Sequence, residues 1–273
     1  MRMTGYALRH LFGDWRFPAL LLCLCLLLFS DAASTVNSMS YNRFIGAYNA
    51  ISPDKVALAY GLEGHYETLD EVWDAFQGTD YASEYYFLCA FFNVNISGFL
   101  CNVSLALWVV WQGVRGRCAS ALLQHGCSRF GVFARLAFTA LGVILLLRCL
   151  ICAFCLRVFP IRWERLDIAV VRRVMGLWLL FMAGETSVYL CMSFALPPFA
   201  AVVAGIAFNL SPALLPPSFH RFLPSFVTTN KQLWMSDSAA ALLRGPAVAV
   251  AAAVVMVLAL TGAWLAFRKK ELR

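Results

Sequence analysis

Charged side chains are scarce in this 273-residue chain: they make up 14% of it, against 61% hydrophobic residues. Soluble domains carry about 25% charged residues. So small a polar supply cannot cover a water-soluble core of that size, which excludes an ordinary soluble fold. Histidine is scarcer still, and His10, His65, His125 and His220 stand in separate segments. No H-E-x-x-H pair, no G-x-x-x-x-G-K-[ST] phosphate loop and no G-x-S-x-G elbow occurs. These absences leave no catalytic, cofactor-binding or metal-binding residue to assign. Energy for any work must come from an ion gradient, the membrane potential or another subunit.

What the chain has is long apolar runs. A bilayer core of about 30 Å needs about 20 mostly apolar residues as helix. Helices are the default because lipid offers backbone groups no partner. The runs are Phe17–Ala33, Tyr86–Trp111, Ala134–Phe159, Val174–Phe194, Phe199–Leu215 and Pro246–Phe267. None alternates with the period of a barrel strand. The sequence therefore predicts an all-α, polytopic integral membrane protein, one permease domain over 1–273 with about six transmembrane helices. Ala195-Leu196-Pro197-Pro198 breaks the fourth run from the fifth. One broken helix in place of that pair, giving five spans, is the alternative. Arg2, Arg9 and Arg16 ahead of Phe17–Phe29, with small residues after it, also fit a cleavable signal peptide.

Charge asymmetry orients the chain. Residues 31–84 hold nine acids and only two bases, Arg43 and Lys55. Basic clusters lie at the N-terminus, over Arg115 to Arg135, and at Arg268, Lys269, Lys270 and Arg273. Lys and Arg near membrane ends stay cytoplasmic. Six helices put all three clusters inside, with both termini cytoplasmic in the plasma membrane. The net charge of +7 then reflects the membrane surface and not nucleic acid. One loop conflicts: Arg157, Arg162, Arg165, Arg172 and Arg173 fall outside under the same count.

The insert after the first helix, residues 34–84, is expected to be partly folded. Thr68-Leu69-Asp70-Glu71 fits a capping box, with Glu71 reaching back to Thr68. Leu69, Val72, Trp73 and Phe76 share one helical face, and Gly78 can end the helix. That face reads first as packing on the membrane or the protein, and second as a substrate or partner surface.

Polar residues inside the runs are the other feature. Cys149, Cys152 and Cys155 repeat at intervals of three, but no histidine is near, and free cysteine behaves as a small apolar residue. Asn95 and Asn102 match glycosylation acceptors, yet they lie within an apolar helix. With Asn93 and Ser104 they give the second helix a polar character, for interhelical hydrogen bonds or for a hydrophilic path. Arg148 and Glu185 lie in the third and fourth helices at similar depth, which allows an ion pair, structural or on a translocation path.

The loop at 112–133 is the most informative stretch. A short helix from about Cys118 to His125 would end at Gly126, and Ser128 would cap the next helix. Gly116-Arg117 and Gly126-Cys127-Ser128-Arg129, with the tail Phe267-Arg268-Lys269-Lys270-Glu271-Leu272, resemble the ABC-2-type transport permeases, the membrane subunits of ATP-driven exporters. In that family a Gly-Arg pair after the second helix is followed by Gly-x-Ser-Arg about a helix length later. Family loops often carry basic or amide residues where this chain has Cys118-Ala119-Ser120-Ala121. The resemblance implies a permease paired with a second permease subunit, identical or different, and driven by separate ABC ATPase subunits. It implies coupling through Gly116, Arg117, Gly126, Ser128 and Arg129, and transport past Asn95, Asn102, Arg148 and Glu185. Two other classes remain open. One is a gradient-driven transporter; the other is a non-transporting sensor or assembly protein with the acidic segment as its ectodomain.

Overall fold

The computed structural model describes residues 9, 13–38, 41–92, 96–114, 118–214 and 246–269, and among these there are helices and no strands. Among the described residues, four helices are long and apolar enough to cross a membrane: Arg16–Ser34, Arg129–Val158, Val171–Ala195 and Ala249–Lys269. The chain is a helical protein of membrane-spanning composition. In order, the helices are α1 (Arg16–Ser38), α2 (Tyr41–Tyr48), α3 (Pro53–Ala59), α4 (Leu69–Gln77), α5 (Asp80–Phe92) and α6 (Ile96–Val114). They continue with α7 (Cys118–Gln124), α8 (Arg129–Val158), α9 (Ile168–Ala195), α10 (Pro198–Leu214) and α11 (Pro246–Lys269).

Two points of the sequence reading concern helix ends. The second apolar run is covered by α5 and α6 on either side of residues 93–95, which, Asn95 included, lie outside the described residues. The proline pair does separate α9 from α10: the Leu196 amide bonds back to Met192 at 2.9 Å, and Pro198 opens the next helix.

The bundle has two ends of opposite character. At one end Gln112 donates to Asp14 at 3.5 Å, and Arg129 donates to the Arg268 carbonyl at 2.9 Å. The N-terminal stretch, the α6–α8 connection and the tail of α11 therefore meet there. At the other end the Arg162 amide donates to Ser83 at 3.2 Å, and the Arg165 guanidinium donates to the Gly78 carbonyl. The arginine-rich 157–173 segment thus lies against the acidic insert. The contacts of Arg162 and Arg165 bring this loop to the insert, whose residues 31–84 hold nine acids and two bases.

α9 and α11 form the closest pair, and they run parallel. Phe194 meets Phe267 with ring centroids 5.4 Å apart, and a Cβ at Gly262 would stand 2.9 Å from the Cys191 sulfur. Ala252 and Ala263 are buried in the same seam. Small residues let helix backbones approach where lipid gives no hydrophobic push.

The insert has a core of its own. Phe44, Val56, Ala57 and Val72 are buried together, ringed by Tyr48, Tyr60, Tyr66 and Trp73. The amphipathic α4 packs on α2 and α3 rather than lying alone on a surface. Thr68 accepts from the Glu71 amide at 3.3 Å as expected, but Glu71 reaches back one residue further, to the Glu67 amide at 2.9 Å. Gly78 keeps a right-handed φ of −75°, because Thr79 caps α5 at once by accepting from Ala82 at 3.1 Å. Asp54 fastens the loop between α3 and α4: it accepts from the Tyr66 amide and contacts His65 Nδ1, both at 2.8 Å. Those two contacts hold its carboxyl below the usual range, the backbone bond first and His65 second. Tyr41 donates to Asp70, and that bond raises its phenol above the ordinary value.

Two measurements check this arrangement. In sealed vesicles, thiols introduced by Trp15→Cys and Lys269→Cys should react from one face and a thiol from Leu58→Cys from the other. Reaction of Leu58→Cys and Lys269→Cys from the same face would overturn the two-ended layout. For the insert, a depressed carboxyl stabilises above the unfolded value of about 3.9 and loses that effect as pH falls through its folded value. Its near-ultraviolet circular dichroism should therefore weaken under acid conditions below about pH 4, and Asp54→Asn should flatten that response. An unchanged acid profile in Asp54→Asn would assign the response to other groups.

Candidate functional site

Two apolar clusters fill the bundle, one toward the insert end and one toward the basic end. The first contains Cys101 and Met182; the second contains Val103 and Tyr189. Asn102, Glu185 and Thr186 fall at the seam between them, and Arg148 stands about one helical turn toward the insert end. All four are buried, with Asn102 and Thr186 at 0% exposure, Glu185 at 1% and Arg148 at 3%. They come from α6, α8 and α9, so three helices converge on one polar layer.

The geometry differs from a simple ion pair. Asn102 Nδ2 donates to Glu185 Oε2 at 3.3 Å. Arg148 lies within electrostatic reach of Glu185 but does not close to ion-pair distance. Asn102 Oδ1, Arg148 Nη2, Glu185 Oε1 and Thr186 Oγ1 are each buried without a hydrogen-bond partner. Trp178 Nε1 is in the same condition, two turns before Glu185 on α9. An unmatched buried polar atom costs about 1–3 kcal/mol, and more when it is charged. Five in one region form an arrangement that water, a proton or a polar solute could complete: three oxygens accept and two nitrogens donate.

The remaining residues of the sequence reading separate clearly. Gly126, Ser128 and Arg129 gather at the basic end. Gly116 and Arg117 lie outside the described residues, as does Asn95. Gly126 adopts φ +84°, with its amide on Leu123 at 2.9 Å and the Cys127 amide on Leu122 at 3.0 Å. This is a Schellman ending, and any residue but glycine is strained at such a φ. Ser128 then caps α8 by accepting from the Gly131 amide at 3.0 Å. Cys118, Ala119 and Leu122 bury one face of α7 in the bundle, while Gln124 and His125 stay exposed. The small residues where permease loops carry basic or amide groups are thus packing residues here. Of the cysteine series on α8, Cys149 is exposed while Cys152 and Cys155 are buried, so the three do not converge.

Sequence reasoning missed Thr186 and Trp178. The signal was present for one of them: Glu185-Thr186-Ser187 is a run of three polar residues within the apolar 28-residue α9. Trp178 carried none, since its ring suits an apolar core and only the tertiary packing denies its N–H a partner. No protein-family model matches the chain, and neither does any curated protein or any solved structure.

The polar layer predicts a specific pattern of energies. Glu185→Leu leaves the Arg148 charge without its counter-charge and should destabilise the bundle by roughly 3 kcal/mol. Adding Arg148→Met should recover most of that loss, because a matched apolar replacement removes both burial costs. Thermal unfolding in detergent measures both. Simple addition of the two single effects would show that the two groups do not interact.

Proposed function

We propose that the chain is the permease subunit of an ATP-binding-cassette exporter, driven by a separate ATPase through α7 and the turn that follows it. The observation that carries this reading is the build of that segment. α7 is pinned by its buried face, ended by Gly126, and followed at once by the Ser128 cap. Arg129 then ties the start of α8 to the end of α11 through the Arg268 carbonyl. A push on His125 or Gly126 is therefore delivered to two spanning helices together. Such a lever is what a moving soluble partner needs in order to bias a bundle between two states.

The six-span topology belongs to the same proposal. α9 ends and α11 ends at the basic end, since Phe194 and Phe267 touch there. α11 begins beside the insert-end cluster, where Ala249 and Ala252 pack. In this reading the chain crosses once between Ala195 and Pro246 to connect these points. α10 starts that crossing, with Phe208 against Tyr189 at 6.1 Å. With α5 and α6 as one passage, the count reaches six and both termini lie on the basic, cytoplasmic side of the plasma membrane. The polar layer of Asn102, Arg148 and Glu185 is then the candidate lining of the path, and a second permease subunit completes it.

A second reading has one observation in its favour. The insert packs around its own core, as a sensing or assembly ectodomain would. The two readings part in a pull-down of tagged protein from mild detergent. An exporter subunit should bring down an ATPase bearing a G-x-x-x-x-G-K-[ST] motif, and replacing residues 118–129 should abolish that recovery. Gly126→Leu, which strains the αL turn by about 1–2 kcal/mol, should lower transport and ATPase recovery while membrane insertion persists. Clean recovery of the protein alone, at a yield that retains known complexes, would move the assignment to the ectodomain reading.

A further inference from the structure

A cavity of about 450 Å³ opens between α8, α9 and α11, in the half of the bundle nearer the basic end. Its walls include Phe133, Leu141, Leu190, Met256, Leu260 and Trp264, and none of its lining residues is charged. Three hydroxyls border it. Ser187 donates to the Ala183 carbonyl at 2.6 Å and Thr261 to Val257 at 2.8 Å, so both are satisfied within their own helices. The third is Thr186 Oγ1, fully buried and without a partner beside the polar layer. Phe138 and Phe130 stand at the mouth, 74% and 60% exposed, so the opening faces outward from the bundle. Its size is that of ligand pockets, which run about 300–1,000 Å³.

The cavity's shallow end meets concentrated positive charge. Phe130 and Trp264, with ring centroids 5.4 Å apart, close that end. Arg129 precedes Phe130, and Arg268 and Lys269 follow Trp264 within about one turn. The hydrogen bond of Arg129 to the Arg268 carbonyl, 2.9 Å, brings the two helices' cations to one edge. Among the described residues, this end of the bundle carries Arg9, Arg16, Arg129, Arg135, Arg268 and Lys269 against a single carboxylate, Asp14. An apolar slot running inward from a cationic, aromatic rim matches one kind of molecule in its surroundings. We propose that this cavity is a binding site for an anionic phospholipid, with an acyl chain in the slot and the phosphate on Arg129, Arg268 and Lys269.

The test uses the full chain in nanodiscs of mixed phosphatidylcholine and phosphatidylglycerol. Native mass spectrometry after mild detergent release should find phosphatidylglycerol retained in preference. The Arg129→Gln/Arg268→Gln/Lys269→Gln variant removes the rim charges, and Arg268→Gln/Lys269→Gln alone keeps the Arg129 bond to the residue 268 carbonyl as a structural control. The triple variant should reduce that preference on the order of a hundredfold, since each of the three basic groups near an anionic headgroup contributes about fivefold. Phosphatidylglycerol with brominated acyl chains should quench the Trp264 fluorescence, obtained by difference from Trp264→Phe. Leu260→Trp, read the same way after correction for the added indole, should suppress that quenching by filling the slot. Equal retention of the two lipids, a preference unchanged in the charge variant, or a Trp264 shielded from brominated chains would overturn the proposal. The last result would assign the slot to protein, from this chain or a second copy.

Discussion

Burying a carboxylate among apolar helices is the constraint on which this structure turns. Glu185 sits at 1% exposure, where lipid or apolar protein would otherwise surround it. A charge in that position must find a donor or a cation on another helix. Asn102 of α6 supplies the donor and Arg148 of α8 the opposite charge. Those two requirements fix which faces of α6 and α8 turn toward α9. They also divide the apolar interior into two clusters, one on each side of the polar layer.

The polar layer does not close as a simple ion pair. A clasp would close Arg148 on Glu185 and leave no spare atoms. Here the asparagine takes one carboxylate oxygen, and the other oxygen, the guanidinium Nη2 and the Thr186 hydroxyl stay unmatched. Such an arrangement is costly unless something polar visits it. The rest of the bundle is built the other way, from close contact of small and aromatic residues. α9 and α11 approach through Gly262 and Ala263, and Phe133, Phe194 and Phe267 interlock at the basic end.

Electrostatics works on a longer scale at the two ends. The acidic insert and the arginine-rich 157–173 segment share one end, where Arg165 reaches Gly78 and Arg162 reaches Ser83. The opposite end keeps its cations almost unopposed. The loop that departs from the Lys/Arg bias in sequence thus packs against the acidic insert.

The sequence by itself determined the class of molecule, because composition and run length are summed over many residues and survive local error. It also determined the caps of α4 and α8 and the Gly126 turn, since these depend on neighbours within five residues. It could place Arg148 and Glu185 at similar depth, but not their separation, which depends on the rotation of two helices about their own axes. The folded core of the insert, the partnership of Asn102 with Glu185 and the cavity beneath Trp264 were decided by tertiary structure alone. Each of these joins residues far apart in the chain, 83 positions apart for Asn102 and Glu185. No local periodicity records which of several apolar faces will meet.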